Sequence, residues 1–440
     1  MTRATSLGIV SLLCFLPLAA SADEDVDARL RAMQDRLSQL EDRLEATTDR
    51  LESANERLAA QQTLIERVEL DQKASSGLSQ FLDTLEIGGW LSGSYFYNFN
   101  DPDGRALAGS NTGGFAYPFR PDANSFSLDQ FWIWLERPVS EENRAGFRVD
   151  LAYGKDAGLL SGDFGAGDGF SGNDFELYQA YIQYLAPIGE GVTVQFGKFA
   201  TLIGAEVVQA PDNFNITRGH VYNLFQPITH TGILASTAVA GFDVSLGFVN
   251  ETRSFPARDI DLNKNKAVLW SIGGGGDTFS WSLNGTHGDA DSGLGFDAPA
   301  SDKETIVDLI LSFSPSESFT TYVNADYLKT DNSLGTDIDG YGIAWAGRLA
   351  LNERTGVALR AEWVDLNDFF GRGNDLSVWG LTTTADYKLT DSLMVRGELR
   401  YDDVTDGGDL FVNDKSFGVG VADFSKDEQL SAGVEVIYTF

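Results

Sequence analysis

The sequence predicts an all-β fold, a 16-stranded antiparallel transmembrane β-barrel preceded by an N-terminal α-helical coiled coil. Three observations predict it. A run of leucines at heptad spacing gives way abruptly to segments of period two. Those segments are joined by alternately short and long connections. The last residue, Phe440, closes a regular alternation of apolar and polar positions.

The chain starts Met1–Thr2–Arg3, runs through an apolar stretch from Leu7 to Leu18 and reaches Ala20–Ser21–Ala22. A basic start, a short apolar core and small residues before a cut are the layout of a signal peptide, so residues 1–22 are expected to be removed after Ala22. Cys14, the one cysteine, lies inside the apolar core behind the bulky Leu13, a poor context for lipidation. The mature chain would then carry no thiol, which argues against a disulfide scaffold and against zinc–thiolate chemistry. After residue 22 no apolar run is long enough for a transmembrane helix. A membrane-spanning chain of this kind is left with a closed barrel, because lipid cannot satisfy an open sheet edge. Abundant Gly (47) and Phe (29) with a mean hydropathy of −0.15 suit a wall with one face in lipid and one in water. The net charge of −33 excludes nucleic acid as a partner and suits exposed loops, or divalent-cation bridging to an anionic lipopolysaccharide surface.

Residues 23–73 read as a coiled coil. Leu30, Leu37, Leu44, Leu51, Leu58 and Ile65 recur every seventh residue, and Met33, Leu40, Thr47, Ala54, Gln61 and Val68 follow three behind. A strict seven-residue repeat selects a left-handed supercoil. The hexapeptide Arg36–Leu37–Ser38–Gln39–Leu40–Glu41 resembles a trimer-favouring pattern in which Arg36 crosses Leu37 and Leu40 to reach Glu41 of the next helix. The weak layers at Thr47 and Gln61 imply that something besides the coil holds three copies together. A hinge, residues 74–84, follows with Ser75, Ser76 and Gly77.

The barrel is expected over residues 85–440, with strands starting near 85, 126, 144, 175, 192, 228, 241, 266, 277, 303, 317, 338, 354, 374, 391 and 428. The clearest strand is the last. Leu430, Ala432, Val434, Val436, Tyr438 and Phe440 point one way, and Ser431, Gly433, Glu435 and Thr439 the other. Connections after even-numbered strands are tight, such as Pro187–Gly191, Ala240–Gly241 and Pro315–Ser316. Those after odd-numbered strands are usually long: 100–125, 155–174, 200–227, 251–265, 288–302 and 403–427. Short periplasmic turns and long outer loops are the asymmetry of an outer-membrane barrel. Trp90, Tyr95, Tyr184, Trp270, Trp281, Tyr327, Trp345, Trp363, Tyr401 and Tyr438 are expected on the outward face as two aromatic girdles. Tyr438 and Phe440 on the terminal strand resemble the signal read by the barrel-assembly machinery.

The inward parity collects Arg148, Arg348, Arg360, Arg396 and Arg400 with Asp150, Glu362 and Glu398. Charges on a wall are tolerable when water fills the lumen and costly in a packed core, so these eight are expected to line an aqueous pore. Opposed charges across a narrow pore favour small polar solutes. The 200–227 connection is the least loop-like. Around it stand Gly197–Lys198–Phe199, Gly204–Ala205–Glu206, Asn213, Thr217–Arg218, Tyr222, Pro227 and His230–Thr231–Gly232. These residues resemble the OmpL-like β-barrel porin family of Gram-negative outer membranes, over roughly residues 80–440. The resemblance implies a pore whose 200–227 segment folds inward as a constriction, with Glu206, Asp212 and Arg218 near the narrowest point.

The histidines, His220, His230 and His287, lack a ligand partner at fixed spacing. Outer-membrane phospholipases pair His with Ser on a barrel wall, but nothing here singles out such a pair, and neither catalysis, a metal nor a cofactor is expected. Gly273–Gly276 follows a strand without opening a helix, so it reads as a turn and not a phosphate cradle. The function expected is passive diffusion of small hydrophilic solutes and ions through a homotrimer in the outer membrane, with the coil in the periplasm. Two alternatives stand beside it. The coil could tether the membrane to peptidoglycan, or the pore could prefer anions such as phosphate, although a phosphate-selective pore requires a denser basic ladder than this mixed wall.

Overall fold

The computed structural model describes residues 24–74, 81–100, 119–120, 124–160, 175–253, 264–290, 303–331, 337–369, 374–407, 411–418 and 421–440. The expected signal segment lies outside them. Two units are present, residues 1–83 and 84–440.

In the first unit a helix, α1, spans Glu24–Ala74. Its 51 residues rise about 77 Å at 1.5 Å each. Neither Gly nor Pro interrupts it, and Ala, Leu, Glu, Arg and Gln dominate, all strong helix formers. Leu30, Met33, Leu37, Leu40, Leu44, Leu51 and Leu58 lie on its surface, each more than half exposed. Helical propensity alone explains a helix; it does not explain seven exposed apolar side chains at heptad spacing.

The second unit is a barrel closed by β1 (Glu86–Asn98), β2 (Ser125–Arg137), β3 (Ala145–Tyr153), β4 (Phe175–Ala186), β5 (Val192–Ala200), β6 (Thr229–Val239), β7 (Phe242–Val249), β8 (Ala267–Gly275), β9 (Phe279–Asp289), β10 (Lys303–Ser316), β11 (Phe319–Asp331), β12 (Ile338–Ala350), β13 (Thr355–Phe369), β14 (Asn374–Lys388), β15 (Leu393–Asp406) and β18 (Glu428–Thr439). Every neighbouring pair is antiparallel, and β1 closes on β18. The sixteen starts fall within two residues of those read from the sequence. Two further strands, β16 (Phe411–Gly418) and β17 (Val421–Lys426), form a separate hairpin inside the connection expected as a loop at 403–427.

Alternation decides which face each side chain takes. On β18, Ser431, Gly433, Glu435 and Ile437 are buried inside, while Val434, Val436, Tyr438 and Phe440 are exposed outside. Phe440 completes the closure: its backbone N–H donates to the Gly89 carbonyl and its carbonyl accepts from the Gly89 N–H, both at 3.0 Å. The tight turn at Ala240–Gly241 has both residues at positive φ, 53° and 85°, the geometry that matches the twist of a two-residue hairpin. The turn expected at Pro315–Ser316 lies two residues later, because β10 runs on through Pro315 with its register shifted between Phe313 and Ser316.

One girdle residue is corrected. Trp90 faces inward, 7% exposed, stacked on the fully buried Trp132 with ring centroids 5.0 Å apart and its indole N–H donating to Gln130 at 2.7 Å. On β1 the inward set is Trp90, Ser92, Ser94, Phe96 and Asn98, and the outward set Leu91, Tyr95 and Tyr97. A tryptophan at the start of a strand gives no parity of its own; the small residues after it set the phase. The other nine stay outside.

At Gly89 a Cβ would run into the carbonyl oxygen of Trp132 and the ring of Phe440. Gly89→Val is therefore expected to block pairing at the barrel's closing seam. Heat-modifiable migration on SDS gels should show the folded form of the purified variant reduced or absent.

Candidate functional site

A wall of sixteen strands encloses more space than its side chains can fill, which leaves room for water and for a further segment of chain. The connection between β5 and β6, residues 201–228, lies inside as such a segment. It carries a 3₁₀ turn at Ala210–Asp212 and a short helix, α3 (His220–Phe225), all six residues of which are buried. A segment folded into the interior brings backbone N–H and C=O groups that need partners. The wall provides them.

On the β10–β11 side, Gly204 N–H donates to Asp308 at 3.0 Å and Ala205 N–H to Asn324 at 2.8 Å. Further round, Glu398 of β15 accepts from the N–H of Ile216 (2.6 Å) and of Thr217 (3.1 Å), from the Thr217 hydroxyl (2.6 Å) and from the Thr384 hydroxyl (2.9 Å). Three guanidiniums of the wall hold carbonyls of the same segment. Arg360 donates to Thr217 O at 2.5 Å, Arg396 to Asn213 O at 2.7 Å and Ala210 O at 3.1 Å, and Arg400 to Arg218 O at 2.7 Å. On β2, eight strands round the barrel from β10, Gln130 donates to Val208 O at 2.7 Å and accepts from Ala210 N–H at 3.1 Å. The segment thus spans the lumen and is fastened on both sides.

Carboxylates balance the guanidiniums. Arg360 pairs with Glu206 of the segment at 2.6 Å and with Glu362 at 3.3 Å; Arg400 chelates Asp402 at 2.9 Å; Arg396 pairs with Glu435. Gly219 sits where a Cβ would meet the Glu362 carboxylate, and its N–H donates to Glu206 at 2.7 Å. His220, Glu362 and Asp402 bring ligand atoms within 4.8 Å of one another. Their lone pairs face guanidiniums: Arg400 lies 3.0 Å from His220 Nε2 and 3.7 Å from Glu362, and His220 Nε2 is 2.7 Å from Asp402. A dication there would sit against two positive charges, so the cluster reads as an ion-pair network. His230 lies inside, bonded to the Thr201 hydroxyl at 3.0 Å, and His287 lies outside, bonded to Thr305 at 2.8 Å.

Other connections enter as well. Helix α2 (Lys155–Leu160), after β3, buries Asp156, Ala157, Leu159 and Leu160. Phe119 and Arg120, between β1 and β2, are 3% exposed each. Burial pushes the Asp156 carboxyl above its ordinary range, with Arg120 and Arg218 opposing it.

Of the eight residues expected to line water, six are dry. Asp150 is buried and held by Arg148, Trp132 and Gln179 of the wall, and Arg360, Glu362, Arg396, Glu398 and Arg400 are buried and held by the segment or by one another, so the expectation of a water-washed wall is corrected for these six. Arg148 and Arg348 keep 26% and 31% of their side chains exposed, the first bound to Glu136 and Asp150 and stacked 5.3 Å from the Trp134 ring, the second bidentate on Asp386. Of the three constriction residues, Asp212 is exposed, Glu206 is buried against Arg360, and Arg218 is turned into its own segment, donating to Val207, Ile216 and Val208 carbonyls. Sequence reading missed Gln130, Asp308, Asn324 and Arg120. The inward parity of β2, β10 and β11 contained the signal for the first three, since a buried amide or carboxylate facing a lumen needs a partner.

The comparisons agree with this architecture. The model of the family "Putative beta-barrel porin-2, OmpL-like" matches residues 84–440, and the chain belongs to that family. No curated protein matches the sequence. Among solved structures, the chain is similar to the trimer form of OmpT of Vibrio cholerae (14% identity, TM-score 0.54, covering 81% of this chain and 99% of that one). It is similar to the anion-selective porin from Comamonas acidovorans (13%, 0.53, 81% and 99%) and to the outer membrane channel DcaP of Acinetobacter baumannii (11%, 0.52, 81% and 97%). At these identities the likeness is one of fold.

Glu398 serves four donors at once, two of them backbone amides of the segment. Glu398→Ala leaves them buried and unsatisfied, at about 1–3 kcal/mol for each group that water cannot reach. The variant is expected to lower the midpoint of thermal unfolding in detergent and to expose residues 201–228 to protease; an unchanged midpoint and cleavage pattern would show that the segment does not depend on it.

Proposed function

We propose that the chain is a porin of the Gram-negative outer membrane that admits small hydrophilic solutes and ions, working as a homotrimer whose N-terminal helices form a coiled coil in the periplasm. The single observation that carries the pore reading is the closed 16-stranded wall, apolar outside and with many polar and charged side chains inside, into which the β5–β6 connection folds. The family is one of porins by its description, so a channel is favoured over an enzyme.

The trimer rests on α1. Leu37 and Leu40, with Arg36 and Glu41 flanking, are exposed on an isolated helix and would be covered by two more copies. The trimer form of the Vibrio OmpT barrel is a precedent for assembly of a similar fold. The helix length, about 77 Å, also favours a second role, a rod that reaches toward peptidoglycan. Phosphate preference has less support, because Arg360, Arg396 and Arg400 are spent on the inward segment and cannot form a basic ladder for solutes. Lipopolysaccharide contact and recognition of Tyr438 and Phe440 by the barrel-assembly machinery belong to the same proposal.

Reconstitution of the purified protein in planar bilayers is expected to give discrete conductance steps, grouped in threes. A protein folded by heat-modifiability that never conducts in any variant would contradict the pore. Leu37→Asp with Leu44→Asp places two buried charges per helix in the seam and is expected to convert the cross-linked trimer to monomer if the coil holds it; a trimer that survives both substitutions would contradict that role and place assembly on the barrel.

A further inference from the structure

Three separate connections meet at one buried ionic cluster beside β18. Arg120, between β1 and β2, donates to Asp156 of α2 at 2.9 Å, and its other nitrogen lies 3.3 Å from Glu435 of β18 and 3.3 Å from Asp129 of β2. The second oxygen of Glu435 accepts from Arg396 Nε at 2.8 Å and from its Nη2. Arg396 in turn holds the carbonyls of Asn213 and Ala210 in the inward segment. Gln130 adds a parallel link, donating to Asp156 at 2.6 Å and to Val208 O at 2.7 Å. Arg218 of the segment stacks 5.0 Å from the Phe119 ring, and Phe119 lies edge-on to Tyr222 at 5.8 Å. Around the cluster three carboxylates, Asp129, Asp156 and Glu435, meet three guanidiniums, Arg120, Arg218 and Arg396, all 3% exposed or less.

We infer that this cluster is a latch that pins the inward segment across the lumen in a closed state, and that the described parts of the three connections let go together. The inference rests on the porin reading and adds a closed state to it. Glu435 is the joint. It is fully buried, and it touches both the guanidinium of the first connection and the guanidinium that grips the inward segment. A dry charged cluster of this kind adds little net stability over an apolar one, yet losing one partner leaves the others uncompensated. Its balance therefore depends on every member staying in place. Release of the segment would return Arg360, Arg396, Glu398 and Arg400 to water and restore a charged, hydrated passage.

The test replaces Glu435 by Gln, which keeps the shape and removes the charge from both guanidiniums. In planar bilayers the full-chain Glu435→Gln variant is expected to raise the open fraction at least about tenfold over the wild type, the shift that follows from weakening the closed state by at least one of the charge-assisted hydrogen bonds to Arg120 and Arg396. A second readout does not need conductance. Asn215, 1% exposed in the segment, is changed to Cys, and its modification by a small methanethiosulfonate reagent is followed in liposomes with the folded form verified on gels. The thiol is expected to be protected with Glu435 present and to react with Glu435→Gln. Equal conductance and equal protection in folded wild type and variant would overturn the latch, as would a wild type whose Asn215→Cys thiol reacts at once. If neither protein conducts but the thiol becomes reactive in the variant, the porin reading fails while the latch stands.

Discussion

Chain that enters a barrel must find partners there for its own amides and carbonyls. That constraint organises the rest of this molecule. The wall satisfies its backbone by closure, strand to strand, and the outer face meets lipid with Leu, Phe, Ile and Trp. Sixteen strands leave a lumen too wide for wall side chains to fill, and residues 201–228 occupy it. Their polar groups are then out of reach of bulk water, so the wall must supply acceptors such as Glu398 and Asp308 and donors such as Arg360, Arg396 and Arg400. Four of the wall charges, Arg360, Arg396, Glu398 and Arg400, bond the segment directly, whereas Arg148 and Arg348 pair with carboxylates of the wall itself.

Apolar contact and ionic contact do different work in this arrangement. Ile203, Ile216, Val221, Leu224 and Phe225 of the segment pack with Leu269, Ile306, Leu328, Val364 and Leu366 of the wall. Each such side chain contributes about 1.5–3 kcal/mol on burial, without fixing a unique pose. The guanidinium–carbonyl and carboxylate–amide bonds are directional, and their desolvation offsets much of their attraction. They select one position for the segment among many of similar apolar area. Arg218 illustrates the point, since its guanidinium is spent on three carbonyls of its own segment and so sets the segment's local shape.

The wall is legible in the sequence because its signal is periodic and repeated. Strand starts, the short and long connections and the side each residue of β13, β15 and β18 faces come from alternation alone. Trp90 escapes that reading because a residue in the first part of a strand takes its phase from its successors, here Ser92 and Ser94. The mixed composition of the β5–β6 connection suggests its inward fold but not its partners, since a contact such as Glu398 to Ile216 joins residues far apart in the chain and obeys no spacing. For the same reason parity alone makes the eight wall charges look like pore lining. It places a charge inside a barrel and cannot say whether water or another segment meets it there. The hairpin of β16 and β17 looks like loop in the sequence because, among Gly and Asp, two short strands carry little alternation.

Amide hydrogen exchange on the folded protein in detergent tests the central claim most directly. If the wall holds the segment, the amides of Gly204, Ala205, Ile216, Thr217 and Gly219, each bonded to a wall or segment carboxylate or amide oxygen, should be protected to the same degree as strand amides of β13 and β15. Exchange at the rate of an exposed loop, with the strands protected, would contradict it.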